Sequence, residues 1–198
     1  GQERCYDFVG RQMTEQPVDN VINEFFVRRD DESDTEVNVL ADKFIAYYSH
    51  HACKRLTLYR DRYGDARRAN SRKTYNELFV ERLQKFGWEV VQLVHPGIEP
   101  PQHEKFLLWT YILAETDPRF PKVRFNATRC RHTLISMQNT RVIEDSHGRF
   151  AKDKSSERRQ SVLPEEATHF GDCVDKRIWT KYYTRLKVLS TSFVDGRV

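Results

Sequence analysis

Four carboxylates stand where the sequence could support metal-dependent chemistry. Asp172 and Asp175 lie three apart in residues 164–183, whose apolar spacing predicts a helix, so both project from its first turns. Asp61 follows the apolar run RLTLY at a predicted strand end, and Asp65 comes four residues later. Reactive groups of α/β sheets gather at the carboxyl ends of strands, and carboxylate oxygens bind Mg²⁺ or Mn²⁺. The alternatives are helix-start acids that complement the helix dipole and, at Asp61, an aspartate that forms a turn.

Basic residues are concentrated between residues 54 and 73 and recur in a polar segment around residue 153. Because the first group spans a predicted strand end and loop, where binding residues concentrate, we expect it to contact a polyanion. A solvated charged surface is the alternative. The candidates for contact with a phosphate backbone are Arg62, Arg67, Arg68, Arg72, Lys73, Lys152 and Lys154.

The composition predicts a single globular domain over residues 1–198. The chain carries 33 Lys and Arg against 29 Asp and Glu, a net charge of +4, and 12% aromatic residues that can build a core. No apolar run approaches the roughly 18 residues of a membrane span, so we expect no membrane association and an intracellular protein. Motifs for a phosphate loop or a dinucleotide site are absent from the sequence. Its four scattered cysteines lack zinc-site spacing, and we expect reduced, buried thiols.

Helices and strands are predicted to alternate along the chain after an antiparallel hairpin formed by residues 4–10 and 21–29. Thr74 and Glu77 form the signature of a capping box, and Gly87 ends that helix. We predict helices from Val37 and over 74–86, 103–115, 129–140 and 164–183, strands over 55–59, 88–94 and 122–127, and a polar loop or hairpin over 144–159. This pattern is typical of an α/β fold with a mixed sheet flanked by helices. Inward-facing positions of the last helix are predicted to be Phe170, Cys173, Val174, Ile178 and Tyr182.

The order of the motifs resembles the nuclease domain of phage terminase large subunits, a branch of the ribonuclease H-like superfamily. Residues 59–71, YRDRYGDARRANS, resemble the second acidic motif of that family. CRHTLISMQNT, from Cys130, resembles its cysteine-bearing helix, and FAKDK, from Phe150, resembles its lysine-bearing hairpin. ATHFGDCVDK, from Ala167, resembles the third acidic motif, with Cys173 where alanine is usual. The resemblance covers nearly the whole chain, and the third motif is its most specific part.

The resemblance implies a ribonuclease H-like mixed β-sheet and assigns the metal ligands. Asp61 would be the second ligand, with Asp65 as the competing choice, and Asp172 the third, supported by Asp175. We therefore predict that the Asp61 and Asp172 carboxylates lie within about 8 Å of each other, the reach of a two-metal site. The family's first aspartate lies on its opening strand. Either Asp7 is a displaced version of it, or, as we expect, the chain begins downstream of that strand, and residues 1–198 alone should cut weakly.

The function implied by the resemblance is a Mg²⁺- or Mn²⁺-dependent endonuclease that cuts concatemeric double-stranded DNA during phage packaging in the host cytoplasm. Its implied partners are double-stranded DNA, a portal protein and a terminase small subunit, and a packaging ATPase domain would precede it in the full protein. Two alternatives remain open at this point. The chain could be a DNA-binding or docking module that does not cut, or a resolvase- or transposase-like nuclease on the same fold.

Overall fold

The computed structural model describes residues 16–28, 36–60, 65, 72–93, 101–159 and 161–192. For Pro164 and residues 187–192 it describes the backbone only. The α-helices are α1 Glu36–Tyr47, α2 Tyr75–Lys85, α3 Gln102–Ala114, α4 Arg131–Asn139 and α5 His169–Ser192. The strands are β1 Val18–Val21, β2 Arg55–Tyr59, β3 Glu89–Leu93, β4 Lys122–Phe125, β5 Val142–Glu144 and β6 Phe150–Lys152. Short 3₁₀ helices occur at Ser155–Arg158 and Pro164–Glu166. The predicted α/β class is confirmed at this level.

The front of the chain differs from the prediction. Strand β1 occupies Val18–Val21, and residues 22–28, expected to be extended, form no regular element. Residues 4–10 lie outside the described part. Strand β1 pairs in parallel with β4, so that Val18 lies opposite Lys122 and Val21 opposite Phe125. The antiparallel hairpin predicted for residues 4–10 and 21–29 stays a prediction, because one of its two segments lies outside the described residues.

The strands form three separate two-stranded ladders in the described residues. Parallel pairs join β1 with β4 and β2 with β3, and the antiparallel pair β5–β6 is a hairpin. We predicted a single mixed sheet, but these strands do not form one. The hairpin agrees with the loop or hairpin predicted for residues 144–159.

Two apolar clusters hold these elements together. One lies between α3, β4 and α5 and is built on Leu108, Ile112, Phe120, Val123, Ile178, Trp179 and Tyr182. The other lies between α1, α2 and β3 and is built on Ala41, Ile45, Leu83 and Trp88. None of the helices described is long and apolar enough to cross a membrane.

The buried stripe of α5 differs from the one expected. Asp175, Ile178, Trp179 and Tyr182 are at most 5% exposed, and Gly171 is buried one turn before Asp175. These positions follow the i, i+4, i+7 spacing of a single helix face. Cys173 is exposed, so its predicted burial was wrong, because a glycine and an aspartate take the inward positions and rotate the helix. Cys53 is exposed as well, whereas Cys130 is buried as expected.

Candidate functional site

Asp172, in the first turn of α5, is bound by two lysines from the β5–β6 hairpin and the turn that follows it. Nζ of Lys152 lies 2.9 Å from its Oδ1, and Nζ of Lys154 lies 2.7 Å from its Oδ2. The Asp172 side chain is 33% exposed, so solvent still reaches the carboxylate. The structure therefore brings together three residues that the sequence placed at one site.

Asp175 lies one turn further along α5 and deeper in the protein. Its Oδ1 accepts a hydrogen bond from Nε1 of Trp109 at 2.7 Å, and its Oδ2 pairs with Nζ of Lys152 at 2.6 Å. The Asp175 side chain is only 5% exposed. Asp175 thus anchors Lys152, while Asp172 is the carboxylate that an external cation or phosphate can approach.

The hairpin is held against α3 by an aromatic contact. The Phe150 ring lies 4.5 Å from the ring of Phe106 and stacks on His103, whose Nδ1 accepts a hydrogen bond from the Phe150 backbone N–H. Phe150 and Lys152 lie two residues apart in β6, so this aromatic contact also fixes the backbone position from which the Lys152 side chain extends. The packing of the hairpin on α3 therefore sets the position of Lys152 and, two residues further along the chain, that of Lys154.

A glycine lets α5 approach α4 closely. The backbone N–H of Gly171 donates to Oγ of Ser136 on α4 at 3.1 Å. A methyl group added at Gly171 would lie 3.3 Å from that Oγ and 3.5 Å from Nζ of Lys152. The contact with Oγ is tight and that with Nζ is an ordinary van der Waals distance, so the absence of a side chain at Gly171 serves mainly the close approach of α5 to Ser136 on α4.

The electrostatics of the site favour charged forms throughout. Burial alone would raise the pKa of Asp172, but hydrogen bonds from Lys154 and Lys152 outweigh it and hold that pKa below its usual value. Burial would lower the pKa of Lys152, yet the Asp175 and Asp172 carboxylates raise it. Burial would also lower the pKa of Lys154, but the hydrogen bond and the electrostatic attraction to Asp172 raise it. The pKa shifts of Asp172, Lys152 and Lys154 therefore all favour the charged forms of these three groups.

Several predicted residues are placed apart from Asp172 or lie outside the described part. Asp61, Asp7, Arg62, Arg67 and Arg68 belong to residues that the structure does not describe, so the predicted distance between Asp61 and Asp172 stays a prediction. Asp65 is 44% exposed and accepts hydrogen bonds from Arg60 and Asn76. Lys73 pairs with Glu81 at 2.7 Å, and Arg72 is exposed. The role of this loop in binding a phosphate backbone is untested.

As a metal ligand, Asp172 fits a hard divalent ion. Its carboxylate oxygens are the donor type that Mg²⁺ prefers, and a metal ion would take the place of a lysine ammonium group on one of them. One or two carboxylates are enough for a site completed by water and substrate phosphate. Within the described residues, no three His, Cys, Asp or Glu side chains are grouped as a metal site. Asp172 would therefore act with a carboxylate from elsewhere, and Asp61 is the predicted one.

The sequence analysis missed Asp19, a buried carboxylate on β1. It is only 6% exposed and accepts hydrogen bonds from Arg177 Nη2 at 2.5 Å and from Tyr182 Oη at 2.9 Å, with Lys181 Nζ 3.3 Å away. Burial would raise the pKa of Asp19, but Arg177, followed by Lys181 and Tyr182, lowers it. The signal that could have revealed it is an acidic residue between two valines in a short strand, V-D-N-V. Asp19 ties β1 to the middle of α5.

A second missed carboxylate, Glu24, positions α4 behind the site. Its two oxygens accept hydrogen bonds from the backbone N–H groups of His132 and Thr133, from the Thr133 hydroxyl at 2.7 Å, and contact Nδ1 of His132. These bonds satisfy donors at the start of α4, which would otherwise lack acceptors. Since α4 carries Ser136, Glu24 supports the contact that places Gly171.

Comparisons of the chain with protein families, with curated proteins and with solved structures found no match.

Proposed function

We propose that this chain is the nuclease domain of a phage DNA-packaging terminase, a divalent-metal-dependent endonuclease that cuts double-stranded DNA. The observation that carries the proposal is the contact of Lys152 and Lys154 with the partly exposed Asp172. It combines a carboxylate able to hold a metal with cations able to hold a phosphate, the two requirements of metal-assisted phosphodiester cleavage. The sequence resemblance supports the choice of family, of host cytoplasm as the place of action, and of a portal protein and a terminase small subunit as partners.

In this proposal each residue has a separate task. Asp172 would hold Mg²⁺ or Mn²⁺ together with Asp61, and such a metal supplies Lewis-acid activation of a phosphoryl oxygen and of an attacking water. Lys154, the more exposed of the two lysines at 46%, would move from Asp172 to a non-bridging phosphate oxygen. Lys152 would stay on Asp175 and keep the hairpin in place.

The test is cleavage of supercoiled plasmid DNA in Mn²⁺ by the protein expressed in the full reading frame that encodes this chain. Asp172→Asn keeps the shape of the side chain but removes its charge, so we expect cleavage to fall at least about 100-fold and Mn²⁺ binding, followed by electron paramagnetic resonance, to weaken. Asp42→Asn is the matched control, since the Asp42 side chain is 45% exposed and paired with Arg82, outside the proposed site. Wild-type cleavage by Asp172→Asn would refute the assignment, as would an equal loss in Asp42→Asn.

A DNA-binding module that does not cut is the second candidate. It is favoured by the pairing of both Asp172 oxygens with lysines and by the lack of a three-residue metal group among the described residues. This candidate predicts that the wild-type protein binds duplex DNA without cleaving it in either metal. It also predicts that Asp172→Asn binds duplex DNA more tightly, because a negative charge is removed beside the lysines.

A further inference from the structure

Asp172 is the common partner of the two lysines at the candidate site, and each lysine also contacts a second carboxyl group. Lys152 lies 2.9 Å from Asp172 and 2.6 Å from Asp175. Lys154 lies 2.7 Å from Asp172 and 3.4 Å from Glu157, a residue that the sequence analysis did not identify. Both lysines therefore keep a partner when Asp172 binds something else.

The Glu157 side chain is held in position by contacts on two sides. It belongs to the 3₁₀ helix Ser155–Arg158, where its backbone N–H donates to the carbonyl of Lys154 at 3.1 Å. Its Oε1 accepts a hydrogen bond from the hydroxyl of Thr168, a residue that is only 1% exposed. The carbonyl of Thr168 in turn accepts a hydrogen bond from the backbone N–H of Asp172 at 2.9 Å. Thr168 thus connects Glu157 to the helical turn that carries Asp172.

A ligand from solvent reaches the groups that would change partners. The side chain of Lys154 is 46% exposed, that of Asp172 33% and that of Glu157 25%. The same Nζ of Lys154 already contacts Oδ2 of Asp172 and Oε1 of Glu157. A small rotation of the lysine side chain is therefore enough to move the ammonium group from one carboxylate to the other.

A divalent ion on Asp172 would require such a movement. An ammonium group and a metal ion on the same carboxylate repel each other, since like charges a few ångströms apart interact unfavourably. Lys152 then keeps Asp175 as its partner, and Glu157 is the corresponding partner for Lys154. Because a lysine carries three N–H donors, Lys154 can remain on Glu157 and still donate to a phosphate oxygen.

We propose that Glu157 is a positioning residue of the metal site, which holds Lys154 when a divalent ion takes the place of its ammonium group on Asp172. From this position Lys154 donates to a phosphate oxygen of the substrate. The inference deepens the proposed function and rests on it, since Asp172 must be a metal ligand.

The experiment measures Mn²⁺ dissociation constants by electron paramagnetic resonance, without DNA, on the same protein as in the cleavage test. Glu157→Gln should weaken Mn²⁺ binding about three- to tenfold, because Lys154 loses its second charged partner. The glutamine carbonyl still accepts from Thr168, so the variant keeps that contact. Lys154→Met should strengthen Mn²⁺ binding, because it removes the ammonium group that competes for Asp172. In the Lys154→Met background, Glu157→Gln should change the affinity by less than about twofold.

Glu144→Gln is the matched control, because Glu144 is an exposed glutamate at the end of β5 in the same hairpin. Wild-type Mn²⁺ affinity in Glu157→Gln would overturn the inference, as would an equal loss in Glu144→Gln, which would indicate a general charge effect. An effect of Glu157→Gln that is the same with and without Lys154 would also overturn it, since Glu157 would then act on the metal directly.

The Asp172→Asn variant separates failure of this inference from failure of the proposed function. Unchanged Mn²⁺ binding in Asp172→Asn would refute both. Weaker Mn²⁺ binding in Asp172→Asn, without coupling between Glu157 and Lys154 in the double-mutant cycle, would refute the role of Glu157 alone.

Discussion

Lys152 pairs with two aspartates of α5 through a single ammonium group. It lies 2.9 Å from Asp172 and 2.6 Å from Asp175, and its side chain is only 18% exposed. A buried ion pair contributes little to stability by itself, but removing one partner leaves an uncompensated charge and is strongly destabilising. Replacing Lys152 therefore affects folding as well as any role in binding. Lys154, which is more exposed, is the better position at which to separate the two effects.

Asp19 gives the protein a component of stability that depends on pH. Its pKa is held below the usual value of 3.8 by Arg177, Lys181 and Tyr182 against the opposing effect of burial. A carboxyl group whose pKa is lowered by folding contributes stability above its unfolded pKa, and this contribution is lost as the pH falls through the folded pKa. The loss should therefore begin near pH 3.8 and continue below it.

The prediction is tested by urea unfolding of wild type and Asp19→Asn near pH 6 and near pH 3. At the higher pH we expect the variant to be less stable by roughly 3 kcal/mol, because the charges of Arg177 and Lys181 lose their buried partner. At the lower pH the difference should shrink, since the carboxyl group of the unfolded wild type, with a pKa near 3.8, then binds a proton that the folded state binds less readily. A difference that stays constant between the two pH values would contradict the stated role of the charge.

The sequence predicts some helices and strands more accurately than others. Helix α2 was predicted closely because its signals are local: the Thr74 hydroxyl accepts from the Glu77 N–H at 3.2 Å, and the Glu77 carboxylate accepts from the Thr74 N–H at 2.7 Å. The buried face of α5 was predicted in part: Ile178 and Tyr182 are buried as expected, whereas Cys173 is exposed and Gly171 and Asp175 are buried instead. Burial of the latter two depends on Ser136, Trp109 and Lys152, which come from other elements.

The same distinction holds for the candidate site. The acidic pair and the two lysines were identified as residues, but their contacts join positions 18 to 23 apart and follow from the packing of the hairpin on α3. Asp19 and Glu24 were missed, since their partners lie more than 100 residues away. Sequence patterns therefore located the candidate chemistry more readily than the carboxylates that position it.

Glu24 should stabilise α4 more than an ordinary helix cap does. Its side chain is 8% exposed and receives hydrogen bonds from two backbone N–H groups and a hydroxyl. We expect Glu24→Ala to lower the free energy of unfolding by roughly 3 kcal/mol, because buried donors lose their acceptor. Thr74→Ala, which removes the cap of α2, should cost about 1 kcal/mol. Urea denaturation compares the two, and an equal loss would show that Glu24 is only a surface cap.

At the scale of the whole molecule, the described residues form two apolar clusters that share no buried residue. Ile178 belongs to the cluster of α3, β4 and α5, and Ile45 belongs to that of α1, α2 and β3. Replacing either isoleucine with valine removes one methylene group and should lower the free energy of unfolding by about 1 kcal/mol. Because the sites have no common partner, the double variant should lose the sum of the two effects to within about 0.5 kcal/mol. A larger deviation in a double-mutant cycle would show that the clusters are coupled.

The pairing of β1 with β4 has a consequence for synthesis on the ribosome. The β1 region reaches its partners late, since Gln16 binds the carbonyl of Phe120, 104 residues further on. At about 5 to 20 residues per second, the first segment waits roughly 5 to 20 s for that partner to be translated. Meanwhile α1, β2, α2 and β3, whose cluster draws only on residues between Ala41 and Val90, can already pack. During this interval the β1 segment has no partner yet, while the elements that follow it can already be packed, and a chaperone would find its binding site at β1.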